Sequence, residues 1–180
     1  MRWARLPLVL SALVLLASRP ALALGVGVEL GVTGVQSNGV GESALWGPTG
    51  GIVIDQRVPL LPIFLDPWLD VQAPLQLDDA APSSLFLAID LGLKLGITLG
   101  PVEPYLGALG QLVVLMNPGE EENGREEFGG FGGNVGVDFV LSSFRVGVEA
   151  RGVFFPVIYQ GDNGVSTTEL QLLASARFTF

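Results

Sequence analysis

Residues 169–180, ELQLLASARFTF, decide how the rest of the chain is read. Leu170, Leu172, Ala174, Ala176, Phe178 and Phe180 share one parity, while Gln171, Ser175, Arg177 and Thr179 share the other with a single apolar residue, Leu173. A helix returns to the same face every three or four residues and would scatter these side chains; a strand sends alternate residues to opposite sides. The sequence thus ends in a strand with one apolar face and a phenylalanine at its last position.

The same alternation recurs upstream and is clearest over residues 84–97, where Leu85, Leu87, Ile89, Leu91, Leu93, Leu95 and Ile97 alternate with Ser84, Phe86, Ala88, Asp90, Gly92, Lys94 and Gly96. Residues 24–33 set Leu24, Val26, Val28, Leu30 and Val32 against Gly25, Gly27, Glu29, Gly31 and Thr33. Residues 50–58 set Ile52, Ile54 and Val58 against Gly51, Asp55 and Arg57, and Pro59 and Pro62 end that run. Over 68–77, Leu69, Val71, Ala73, Leu75 and Leu77 oppose Asp70, Gln72 and Gln76, with Pro74 inside the run implying a bulge. Residues 103–116 do not alternate cleanly, since Leu106, Leu109, Leu112, Val113 and Leu115 mix parities, and a second bulge is expected there. Residues 128–141 (Val135, Val137 and Phe139 against Asn134, Gly136 and Asp138) and 144–155 (Val146, Val148 and Ala150 against Arg145, Gly147, Glu149 and Arg151) complete a set of eight strands.

Between them the connections alternate in character. Residues 34–48, 78–83, 117–127 and 156–168 are polar and mostly long, rich in turn formers such as Ser37-Asn38-Gly39 and Asp162-Asn163-Gly164. Residues 99–101 and 142–143 are tight turns, and residues 59–67 form a longer apolar connection interrupted by prolines. The expectation is an all-β, eight-stranded, antiparallel up-and-down barrel.

At 180 residues the chain has the length of one domain. Its single continuous apolar run is at the start: Arg2 and Arg5 precede an apolar core over 6–17 and the small-residue site Ala21-Leu22-Ala23, so residues 1–23 read as a secretory signal peptide and residues 24–180 as the exported barrel. No cysteine follows to carry a lipid anchor, a disulfide or a thiolate metal site. Removing Arg2, Arg5 and Arg19 leaves six basic against eighteen acidic side chains, a net of −12, which repels nucleic acid and excludes it as a partner.

The strand charges share one side. Glu29, Asp55, Arg57, Asp70, Asp90, Lys94, Asp138, Arg145, Glu149, Arg151 and Arg177 all take the parity opposite the aliphatic one. A soluble barrel would face these charges outward around an apolar cavity, and a membrane barrel would face them inward. Three features choose the second. The polar side is glycine-rich and mixes six acids with five bases, as a narrow interior that must pair its charges requires. Aromatics gather near strand ends as interfacial girdles do: Trp68, Tyr105, Phe144, Phe178 and Phe180 at one rim, and Trp46, Phe128, Phe131, Phe154, Phe155 and Tyr159 at the other. The apolar face, of valine, leucine and isoleucine, runs for about ten residues per strand, enough to span a bilayer when tilted. The charges are therefore expected to form an interior polar network.

Eight such strands, the opening Pro104-Tyr105-Leu106-Gly107-Ala108 and a closing strand that carries Phe178 and the terminal Phe180 resemble the small outer-membrane β-barrels of the OmpA/OmpX type. The resemblance implies residence in the outer membrane, contact with its lipid and lipopolysaccharide, and recognition of Phe178 and Phe180 by the barrel assembly machinery. It assigns no task, because barrels of this architecture serve many.

The chemistry is sparse. Histidine is absent, which removes the Ser-His and His-Asp pairs of the lipid-modifying and proteolytic barrels and the readiest general base near neutral pH. Asp90 and Glu149 are the candidates for paired-carboxylate chemistry, against the simpler reading that they pair with Lys94, Arg145, Arg151 or Arg177. Glu120, Glu121, Glu122, Glu126 and Glu127 form an acidic connection without the Asp/Asn/Gly spacing of a calcium loop, and read as a solvated surface. No cofactor or metal is expected. The expected function is a non-enzymatic structural or surface-interaction role through the extracellular loops. A narrow channel for small apolar solutes or ions is the alternative, followed by a histidine-free lipid-modifying hydrolase.

Overall fold

The computed structural model describes residues 23–38, 45–74, 85–116, 125–160 and 163–180. The expected leader up to Leu22, the expected strand residues Leu75, Gln76, Leu77 and Ser84, the acidic residues Glu120, Glu121 and Glu122, and the turn residue Asp162 lie outside the described residues. Eight strands follow one another: β1 (Ala23–Asn38), β2 (Leu45–Pro59), β3 (Ile63–Pro74), β4 (Leu85–Ile97), β5 (Val102–Met116), β6 (Arg125–Leu141), β7 (Phe144–Gln160) and β8 (Asn163–Thr179). Each pairs antiparallel with its neighbour in sequence, and β8 returns to β1 to close the barrel. Closure pairs every strand edge, so no ladder of free N–H and C=O groups is left to face lipid.

The strands outrun the expected bounds, because turn-forming residues do not stop a strand whose neighbour still offers partners. Gly34 pairs with Trp46 and Val35 with Leu45 inside the stretch read as a loop. The Trp46 ring lies across Gly34, where an added Cβ would fall 2.7 Å from it. Most of 156–168 is likewise strand, and the irregularity there is a register shift between Phe155 and Ile158, beside Pro156, which has no N–H to give the ladder.

Three further expectations are corrected. The third strand begins at Ile63, not Trp68, since the preceding turn closes within residues 60–62 and Leu60 N–H donates to the Ile63 carbonyl at 2.8 Å. Proline acts within this strand: pairing with β2 lapses between Asp55/Trp68 and Val58/Leu65, around Pro67, while pairing with β4 runs on through Pro67 and Leu93. Pro74 keeps step with Thr49 of β2, so among the described residues it marks no bulge. In β5 the register to both neighbours is unbroken, so its mixed parity has another origin, in the lumen.

Candidate functional site

Alternation fixes where the charges go. Glu29, Asp55, Asp70, Asp90, Lys94, Asp138, Arg145, Glu149, Arg151 and Arg177 are buried inside the barrel, and Arg57 is half-buried at its lower end. The aliphatic set is outside: Leu30, Leu91, Leu106 and Val135 each keep over 60% of their surface exposed. Sequence reading missed three luminal carboxylates, Asp66, Glu103 and Glu169. Among the described residues the lumen thus holds nine acids and five bases, not the near balance expected.

Arg151, on β7 at mid-height, is the hub. Its guanidinium donates to Asp70 at 2.6 Å, Glu29 at 2.7 Å and Asp90 at 2.9 Å, and its Nε to Glu149. Four carboxylates therefore share one cation that has five N–H donors in a fixed plane. Glu149 also takes Lys94 at 2.6 Å, the Tyr105 hydroxyl at 2.6 Å and the Asn134 amide at 2.9 Å. Trp68 lies against both cations, its ring 4.3 Å from the Arg151 guanidinium carbon and 5.1 Å from the Lys94 ammonium.

Below this layer Arg177 reaches Asp55 at 3.0 Å and Asp138 at 3.4 Å, and Arg145 reaches Asp55 at 2.5 Å and Asp66 at 3.3 Å. Lower still, Arg57 pairs with Glu103 and stacks on Phe64, 3.6 Å from the ring centroid. Above the hub the donors are amides in place of cations: Gln72 donates to Asp70 at 2.6 Å and to Gln171 at 3.3 Å, and Gln171 donates to Glu169 at 2.5 Å.

The upper lumen also holds an apolar cluster of Val53, Trp68, Ala88, Leu109, Val113, Val153 and Phe155 with Phe128 packed against it, beside the buried polar Thr33, Thr49, Gln111 and Thr167. This explains β5, whose Leu109 and Val113 point in while Leu106 and Leu112 point out. It also corrects the girdles. Trp68, Tyr105 and Phe155 line the lumen and Phe128 packs against the luminal cluster, leaving Phe144, Phe178 and Phe180 at one rim and Trp46, Phe131 and Phe154 at the other, while the Tyr159 side chain lies outside those described.

A water-filled bore would leave its lining accessible. Here the largest inaccessible side chains, among them Trp68, Arg151, Arg177, Phe64 and Lys94, all point into the lumen, and Asp66, Asp70 and Asp90 have no exposed surface. Among the described residues no group of three or more His, Cys, Asp or Glu is arranged to hold a metal ion. At the barrel seam, Phe180 N–H donates to the Leu24 carbonyl at 3.0 Å, and the Phe178 and Phe180 rings meet edge to face at 5.1 Å, both exposed outward.

A closed antiparallel sheet with its charges inside and its aliphatic residues outside is the construction of an outer-membrane barrel, which sets the chain in that membrane. No family model matches the sequence, and no curated protein does. Among solved structures the chain is similar to neisserial surface protein A, at 18% identity and a TM-score of 0.59 over 87% of this chain and 97% of that one. It is also similar to Ail, the attachment invasion locus protein of Yersinia pestis, at 12% identity and a TM-score of 0.49 over 86% and 98%. The fold is that of the small eight-stranded outer-membrane β-barrels of the OmpA/OmpX type.

Proposed function

We propose that this is a non-enzymatic, non-conducting barrel that acts through its surface, with a structural or interaction role carried by the extracellular connections. The observation behind this reading is the packed lumen: ion pairs, stacked aromatics and an apolar cluster fill the cross-section, and eight strands leave room for little else. Lipid is held by the aliphatic outer face. The described luminal cations are engaged with carboxylates and take no part in holding lipid.

Planar-bilayer recording on the purified, refolded protein tests this directly. The expected trace is flat, and steady unitary openings would retire the reading in favour of a channel. The same proposal takes residues 1–23 as the export leader and Phe178 and Phe180 as the assembly signal. Deleting Phe180 should lower insertion in cells while leaving refolding in detergent intact; unchanged insertion would remove that role.

A further inference from the structure

The end of the barrel with short turns is the periplasmic one, by the usual asymmetry of these proteins. Here that rim is apolar. Leu61 is 80% exposed, Phe180 75%, Leu99 61% and Leu141 59%, and Leu60, Ile63, Ile97 and Phe144 are exposed beside them. No charged residue occurs in 58–65, 95–102, 139–144 or 178–180. The side-chain charges that flank these segments, Arg57, Asp66, Lys94, Glu103, Asp138, Arg145 and Arg177, turn inward, and the lowest two, Arg57 and Glu103, pair with each other. The connections at the opposite end carry Glu42, Asp78, Asp79, Glu120, Glu121 and Glu122 in sequence.

The turns also satisfy part of their own backbone. Thr98 N–H donates to the Pro62 carbonyl at 2.8 Å, Val140 N–H to Pro101 at 2.8 Å, Thr179 N–H to Ser143 at 2.7 Å and Leu99 N–H to Val102 at 2.9 Å. Pro59, Pro62 and Pro101 have no N–H to satisfy. Each such bond lowers the cost of setting a turn against lipid, where an unpaired group finds no water.

We infer that the periplasmic rim is itself a lipid-binding surface, sunk into the phospholipid of the periplasmic leaflet as a continuation of the lipid-facing belt. The turns end within the headgroup layer and do not reach into the periplasm. The surplus strand length then lies on the outer side. Strands of 17 residues such as β6, β7 and β8, tilted at about 40°, rise roughly 43 Å against an apolar band of about 25 Å. The inference rests on the membrane reading, and its test separates the two.

The chain has no cysteine, so single ones can be introduced cleanly. Leu61→Cys, Leu99→Cys and Leu141→Cys would each carry an environment-sensitive fluorophore, with Leu91→Cys as the mid-belt reference and Gln36→Cys as the aqueous one. All are reconstituted in phosphatidylcholine vesicles. The rim labels should be quenched by lipid brominated near the headgroup end of its chains and resist iodide several-fold better than the Gln36 label. Iodide quenching equal to that at Gln36 would overturn the inference. Protection from both quenchers would overturn it too, by showing that a protein partner or a second copy covers the rim. Loss of lipid quenching at Leu91 as well would overturn the membrane reading together with it. As a second measurement, the triple variant Leu61→Asp, Leu99→Asp, Leu141→Asp should fold in detergent micelles as the parent does but insert into vesicles with a several-fold loss of yield; undiminished insertion would count against the inference.

Discussion

A buried cation shared by four carboxylates is the residue on which the lumen depends most. Arg151→Met keeps much of the volume and the contact with Trp68 but leaves Glu29, Asp70, Asp90 and Glu149 facing one another. Breaking a buried pair from one side costs about 3–5 kcal/mol. The temperature at which the SDS-resistant form is lost should therefore fall most for Arg151→Met and less for Lys94→Met, because Glu149 keeps three other donors. It should hardly change for the exposed Gln56→Ala. Equal effects from all three would show that the luminal charges face water. Eleven of these charges were legible from parity alone, and the three missed ones were hidden for separate reasons. Asp66 lay among prolines that read as a loop, Glu103 stood at a strand start, and Glu169 shared parity with Gln171 without being weighed as a charge. Trp68 and Tyr105 carried the right signal, the parity of Asp70 and of Glu103, but nearness to strand ends suggested a girdle in its place.

Three luminal glycines have a packing reason that periodicity does not reveal. Trp68 pairs with Gly92, Phe64 with Gly96 and Tyr105 with Gly136, each ring lying over its glycine. A Cβ at Gly92 would fall 2.5 Å from the Trp68 Nε1, whereas one at the outward Gly110 meets nothing nearer than 3.9 Å. Gly92→Ala should cost about 1–3 kcal/mol by overpacking. Gly110→Ala should be neutral or stabilise by about 0.5–1 kcal/mol through lost chain entropy. Urea unfolding of the protein in detergent checks both, and a harmless Gly92→Ala would show that Trp68 has room to move aside. Strand existence and order were legible because the two-residue period is strong in seven of the eight strands. Strand ends were not, because the partner strand, unseen in any local window, decides how far a ladder continues. Mixed parity in β5 was read as a bulge, and it reflects instead an apolar patch on both sides of one regular strand.

For the molecule as a whole, parity carries no sign; glycine content and charge mixing point the charges inward, and the barrel places them there. What the outer end engages was not legible, since polar connections carry composition without a fixed shape. One consequence of the luminal network concerns reagents added from outside. The chain has a single lysine, Lys94, and it has no accessible surface. Of the basic residues beyond residue 23, Arg57, Lys94, Arg145, Arg151 and Arg177 are luminal, and Arg125 at the start of β6 is the sixth. To an amine-reactive dye the folded barrel therefore offers no lysine side chain, and to trypsin none of these five luminal residues, so handles by which surface proteins are ordinarily tagged or shaved are sealed inside the lumen.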